Sequence, residues 1–475
     1  MIAGPANFDQ ILPPSCQKPL KNPNLGQGPQ KPKFRDNPLV ELPGACHRAS
    51  STSSPIVSAP VAAAVSFPLL RDSEASLLAY PSVHPDSHSS PNKSEAPLLL
   101  GRICRQWREI AVTTPALWST FVTYRTDRSG VVLLADVWLS RAKGNPLTIL
   151  VFDTVDVETS NGELFLKTIC RHSSQWREVA LTLPVIKLHV DGPLPLLEKL
   201  VIRSGGVAEY HPVTTFCDAP LLRDVSITVD SNFALSIGPS TIELPWAQLT
   251  TFTGRLFRTD ECLFVLREAS SLTECTFLSV IEVTVPTIQN ILKPPPFKKL
   301  KLQGCTLLFQ YMTLTGLEVL EIRNQTYIEE IESFPSFLVR SKCPLRELRL
   351  TVHMSAPQLL SCLQAVPTLE VLEVECQSIS EFPSLARHLH ASSGVLPRLR
   401  FLGLQRPSIT VFDDLIAMLF SRSDIKTDGT VPLRRFELIL PYDVAYPAPH
   451  IVDRFRALLR KGMQLHLGPP DASCI

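Results

Sequence analysis

Seven stretches of this chain are versions of one short template. LPLLEKLVI at 194–202, APLLRDVSI at 219–227, LTGLEVLEI at 314–322, CPLRELRL at 343–350, VPTLEVLEV at 366–374, LPRLRFLGL at 396–404 and VPLRRFELIL at 431–440 share the pattern Leu-x-x-Leu-x-Leu, often with a proline one or two residues ahead. Weaker copies stand at WREVAL (176), LTTFTG (249), LTECTF (272) and FKKLKL (297). The eleven first positions are Trp176, Leu197, Leu222, Leu249, Leu272, Phe297, Leu317, Leu345, Leu369, Leu399 and Leu433, spaced by 20 to 34 residues and centred near 25. Chance leucines keep no such period; a repeated structural unit does.

The end of each copy alternates as a half-buried strand does. The segments between copies read as short helices. Ser355 precedes APQLLSCLQAV, with Pro357 in the first turn and Leu359, Leu360 and Leu363 along one face. Thr410 precedes VFDDLIAMLF with Asp413 three residues on, which is capping-box spacing, and Ser333 precedes FPSFLVR in the same way. One helix–strand unit leaves an apolar face bare, so neighbours must stack. The expected fold class is therefore α/β, a leucine-rich-repeat solenoid with parallel strands on the concave side and helices on the convex side. HIVDRFRALLRKG is expected to be a capping helix closed by Gly462. Regular repeats of this kind carry Asn or Cys three residues after the last leucine. Cys305 fits, whereas Gln325, His353, Gln377 and Pro407 do not, so the solenoid is expected to be irregular.

The residue between the last two leucines points away from the helices. In five consecutive copies it is Lys301, Glu321, Arg349, Glu373 and Gly403. Adjacent parallel strands lie about 4.8 Å apart, so the row is expected to be a ladder of opposite charges that satisfy one another. Substrate contacts would then lie off this row, towards the loops at the strand ends.

The totals narrow the function classes. The chain has 475 residues, 46 basic and 45 acidic side chains and a net charge of +1, which gives no general attraction to nucleic acid or membranes. Its twelve cysteines form no CxxC pair. Cys217, Cys262 and Cys305 sit in segments that otherwise read as buried, as small apolar residues do in a reducing compartment. There is no basic-then-apolar leader, and PIVSAPVAAAVSFPLL is too short and proline-broken to span a bilayer. An intracellular protein, cytoplasmic or nuclear, is expected. Residues 1–96 are rich in Pro, Ser and Asn and are expected to be a disordered tail. No G-x-S-x-G, P-loop or H-E-x-x-H pattern occurs. His388 and His390 are two apart, which on a helix points them to different faces. Cys262 and Cys362 have no base beside them in sequence. No catalytic residue, cofactor or metal ligand is expected.

Between tail and repeats, APLLLGRICRQWREIA reads as one helix, with Ile103, Trp107 and Ile110 at helical spacing. Thr113-Thr114-Pro115 stops it, because a residue before proline is pushed out of the α region. Trp118 follows as a second aromatic anchor. VVLLADVWLSRAKG reads as a second helix ending near Lys143-Gly144, with Gly144 as C-cap and Pro146 blocking continuation, and PLTILVF as a strand. In that order, APLLLGRICRQWREIAVTTPALWSTF resembles the second half of the F-box-like domain of large fungal families, especially those of mushroom-forming basidiomycetes. WLSRAKGNPLTILVF and SSQWREVALTLP are similar to the segments that follow it there, so the resemblance runs from about 97 to the C-terminus.

The resemblance implies a helical module that docks on a Skp-family adaptor of cullin-RING ubiquitin ligases, with the repeats holding a protein substrate. Leu99, Ile103, Trp107 and Trp118 would either face the adaptor or anchor the module in the core. The family's opening Leu-Pro-x-Glu-x-Leu helix has no counterpart just upstream of Ala96, where the chain reads PSVHPDSHSSPNKSE. The F-box is thus expected to be truncated at its first helix, and an interaction scaffold without adaptor binding is the alternative. The expected division is a tail at 1–96, a partial F-box-like region at 97–145, repeats at 146–445, and a capping helix with tail at 446–475.

Overall fold

The computed structural model describes residues 91–469 and 473, less 125, 127, 128, 153–159, 183–187, 189, 191, 205–212, 230–238, 240, 241, 282–290, 293, 295, 296, 305, 306, 324–332, 352, 353, 376–381, 406–411, 424–429 and 441–446. The expected tail, up to residue 90, lies outside this set, as do Cys305, Gln325, His353, Gln377, Pro407 and Thr410.

Among the described residues the fold is α/β, with fourteen strands in one open, parallel sheet ordered as in the chain. The strands are β1 (Thr120–Thr123), β2 (Leu147–Phe152), β3 (Trp176–Thr182), β4 (Lys199–Ser204), β5 (Asp224–Val229), β6 (Thr251–Arg255), β7 (Glu274–Leu278), β8 (Lys299–Gln303), β9 (Val319–Arg323), β10 (Glu347–Thr351), β11 (Val371–Glu375), β12 (Phe401–Gln405), β13 (Arg435–Ile439) and β14 (Gln464–Gly468). Two short helices precede the sheet, α1 (Leu100–Ile103) and α2 (Arg105–Thr113). The described crossover helices are α3 (Ser129–Arg141), α4 (Ser160–Cys170), α5 (Thr259–Glu268), α6 (Leu308–Tyr311), α7 (Ser333–Ser341), α8 (Ala356–Gln364), α9 (Phe382–His388), α10 (Phe412–Ser423) and α11 (Pro449–Arg460).

The repeat template accounts for the core. All eleven first positions named from the sequence are buried, none more than 4% exposed. Within strands such as β8 and β11, buried and half-buried residues alternate. One face of the sheet therefore packs under the helices, and the other is open. The arrangement is a repeat-like solenoid, in which each strand's apolar face is completed by its neighbours.

Capping follows the residue types where they were legible. Ser355 caps α8: its hydroxyl accepts from Gln358 N–H, and Gln358 Oε1 accepts from Ser355 N–H at 2.9 Å. Gly462 has a φ of 88°, and the Gly462 and Met463 amides donate to Leu459 O and Leu458 O, closing α11.

Several expectations are corrected. The helix expected over 96–111 is two helices, because Cys104 is extended (φ −157°, ψ 175°). No Gly or Pro marks this break. It is held instead by Arg108 Nε, which donates to Gly101 O at 2.7 Å and satisfies a carbonyl at the end of α1. α3 stops at Arg141, and Lys143 and Gly144 then take positive φ values of 48° and 84°. Ser333 is the first residue of α7 rather than the residue before it. The sheet starts upstream of 146, at β1, whose Phe121 is fully buried. It continues past the expected capping helix, because α11 crosses back to β14, which pairs with β13. Cys217 is exposed, whereas Cys262 is buried.

Neighbouring units are also tied by side chains that bond buried backbone. Arg422 of α10 is 2% exposed, and its guanidinium donates to Leu389 O, Leu396 O and Val395 O in the preceding unit. Arg340 of α7 donates to Phe309 O and Met312 O, and Gln248 Nε2 to Ala219 O and Leu222 O. Burial pulls the Arg422 guanidinium down to about 10. Replacing Arg422 with Met is expected to lower unfolding free energy by about 3 kcal/mol, because two buried carbonyls and one half-buried one lose a charged donor. Arg422→Lys should recover little, since one ammonium cannot reproduce the planar fork. Urea unfolding of the two variants checks this, and a loss under about 1 kcal/mol would mean that the carbonyls find other donors.

Candidate functional site

Two surfaces stand out, the α1–α2 pair and the open face of the sheet. On α1–α2, hydrophobic side chains are left outside. Leu99 and Ile103 are an i, i+4 pair, and Trp107 and Ile110 an i, i+3 pair, so each pair shares a helix face. Leu99 is 41% exposed, Ile103 56%, Trp107 43% and Ile110 44%. α1 buries no residue and α2 buries only Ala111. An amphipathic helix normally hides its apolar stripe, and an exposed apolar patch rimmed by polar residues marks an interaction site. The rim here is basic: Arg102, Arg105 and Arg108 stand against Glu109, which bonds Arg105 at 3.1 Å.

The structure separates the four residues singled out in the sequence. Leu99, Ile103 and Trp107 lie on this exposed surface. Trp118 does not: it is 2% exposed and belongs to the core, with its ring edge-on to Trp138 at 4.9 Å and the Arg141 guanidinium 4.4 Å above it. Ile110 completes the exposed set. Its spacing from Ile103 and Trp107 was the available signal.

On the open face, strand register brings the middle residues into one row. Lys301 stands beside Glu321, Glu321 beside Arg349, Arg349 beside Glu373, Glu373 beside Gly403 and Gly403 beside Glu437. Lys301–Glu321 and Arg349–Glu373 are ion pairs at 3.5 Å. Glu321 finds its nearest cation on its own strand, at Arg323, 2.7 Å away, and Arg349 also reaches Glu347. A second row pairs Lys199 with Asp224 and Lys299 with Glu274, each at 3.0 Å. The ladder is thus internally paired. Towards β1 the same face turns apolar, with Val122, Leu150, Ala180 and Val201 in the middle row and Tyr124 stacked on Phe152 at 5.4 Å.

Gly403 has a local purpose. A Cβ there would come within 2.9 Å of Glu373 Cγ, so the glycine lets Glu373 lie across the row. Burial pushes the Glu373 carboxyl up; Arg349 pulls it down, and Glu437, Glu321 and Glu347 add to the rise.

Burial pushes the Cys362 thiol up to about 12, which keeps it protonated and a poor nucleophile. His390 lies beyond the end of α9, with Nδ1 2.8 Å from Ser392 Oγ. Among the described residues no group of three or more His, Cys, Asp or Glu is placed to hold a metal, and no helix is long and apolar enough to cross a membrane. No protein-family model matches the chain, and no curated protein matches it.

Two outcomes follow for the ladder. Glu321→Lys places a cation on a nearly buried site beside Lys301, Arg323 and Arg349, and should cost about 2 kcal/mol. Adding Lys301→Glu should restore only part, because Arg323 and Arg349 remain. Equal melting temperatures for wild type and Glu321→Lys would show that the row carries no stability. Glu373 supplies a pH test. Its folded pKa lies above the unfolded value, so the folded state holds the proton more tightly, and this group's contribution to stability falls as pH rises through the raised value. Glu373→Gln should therefore be at least as stable as wild type at pH 7. Its advantage should vanish below the ordinary carboxylate range, and unfolding midpoints from pH 3 to 8 decide.

Proposed function

We propose that this chain is the substrate-recognition subunit of an SCF-type cullin-RING ubiquitin ligase. In this reading the α1–α2 pair is the F-box-like part and docks on a Skp-family adaptor. The sheet and its crossovers are irregular leucine-rich repeats that hold a protein target, and the role is not catalytic. The observation that carries the reading is the exposed set Leu99, Ile103, Trp107 and Ile110 on helices that directly precede a long repeat array. Such anchors contribute most when a partner desolvates them. The self-paired ladder offers little net field, so target contacts are assigned to the strand-end loops and the apolar end of the open face.

The alternative is a leucine-rich-repeat scaffold that binds its partner without an adaptor. The sequence PSVHPDSHSSPNKSE before Ala96, where the family has a Leu-Pro-x-Glu-x-Leu helix, favours it.

Capture of the purified full chain on an immobilised Skp-family adaptor separates the two. The substrate-receptor reading expects capture by the adaptor, weakened at least tenfold, or about 1.4 kcal/mol, in Ile103→Asp/Trp107→Ala. That double variant should melt within a degree or two of wild type, since both residues are exposed. Absence of capture with a folded wild-type chain leaves the scaffold reading.

A further inference from the structure

The α1–α2 pair is joined to the rest of the fold mainly through one side chain. Its one buried helical residue is Ala111. Its polar contacts close on themselves. Arg102 reaches Lys93 O, Arg108 reaches Gly101 O, Arg105 pairs with Glu109, and Thr114 Oγ1 donates to Ile110 O. Trp118 is the exception among the described residues. Its indole is held in the core by Trp138 and Arg141, and its Nε1 donates to Ala111 O at 2.7 Å. Ala111 lies in the last turn of α2, where carbonyls lack helical partners. Apart from this bond, attachment rests on Pro97, which is buried, and on partly buried Leu98.

Segments that share few buried apolar contacts with a fold open locally at lower cost than the fold itself. We propose that α1–α2 is a separately opening arm and that Trp118 is the latch that holds it. When the latch opens, the Ala111 carbonyl exchanges the indole for water, and the sheet from β1 onward stays paired. The latch belongs to the fold and does not depend on the identity of the partner. A partner that requires the latched arm loses affinity in proportion to the fraction open.

Hydrogen exchange of the full-length protein, read by mass spectrometry, tests this. Peptides covering 100–112 should exchange faster than those covering β2 to β5. Trp118→Phe should speed exchange in 100–112 on the order of tenfold, as loss of one buried hydrogen bond implies, and leave β2 to β13 unchanged. Trp176→Phe is the control. Trp176 is fully buried, and its Nε1 has no hydrogen-bond partner among the described residues, so that variant should leave 100–112 unaffected. Equal protection of 100–112 and of the central strands would overturn the proposal. So would a Trp118→Phe variant whose exchange rises in parallel along the whole chain, because that would make Trp118 a general core residue.

Discussion

A strand that runs parallel to its predecessor requires the chain to travel back across the sheet first. Here each return is made within a period near 25 residues, and that shortness governs the rest. It leaves room for at most one brief α-helix in a crossover, as in nine of the thirteen among the described residues, and places consecutive strands side by side, which gives a sheet in chain order. It also forces one face of every strand under the helices. The leucines of the template sit at those buried positions, and the open face is free to vary from hydroxyl and apolar groups to paired charges.

Tight returns leave backbone carbonyls inside the fold, and a buried carbonyl without a donor is costly. Residues beyond the strands supply many of the donors. Arg422, Arg340 and Gln248 each reach back 26 to 33 residues to carbonyls of the preceding unit. These side chains add to the strand ladders and apolar contacts that join neighbouring units. Their long stems and planar donor groups allow the spacing between units to vary while the bonds are kept.

Periodicity made the strands from Trp176 to Leu438 readable in the sequence, because burial on one face demands apolar residues at fixed offsets. The ends of the sheet were harder. β1 has four residues and only Phe121 as a large inward anchor, and β14 offers Leu-His-Leu behind a helix that reads as terminal. The break at Cys104 was hidden because it carries no helix-breaking residue and is held by an arginine side chain seven residues from its acceptor. Arg422 reads as a surface residue, since its three acceptors are main-chain groups with no sequence signature. At the candidate site, helical spacing marked Ile103, Trp107 and Ile110 as one face. It could not tell that face from Trp118, because exposure depends on what packs opposite, and that is decided by α3.

The strict chain order of the sheet has a mechanical meaning. Tension applied at the two ends of this array acts across the strands, in line with the hydrogen bonds that join them, so every ladder carries the same load and none is sheared. Units held chiefly by nearest neighbours yield in succession under such a load. An array of this kind therefore lengthens in steps, one unit after another.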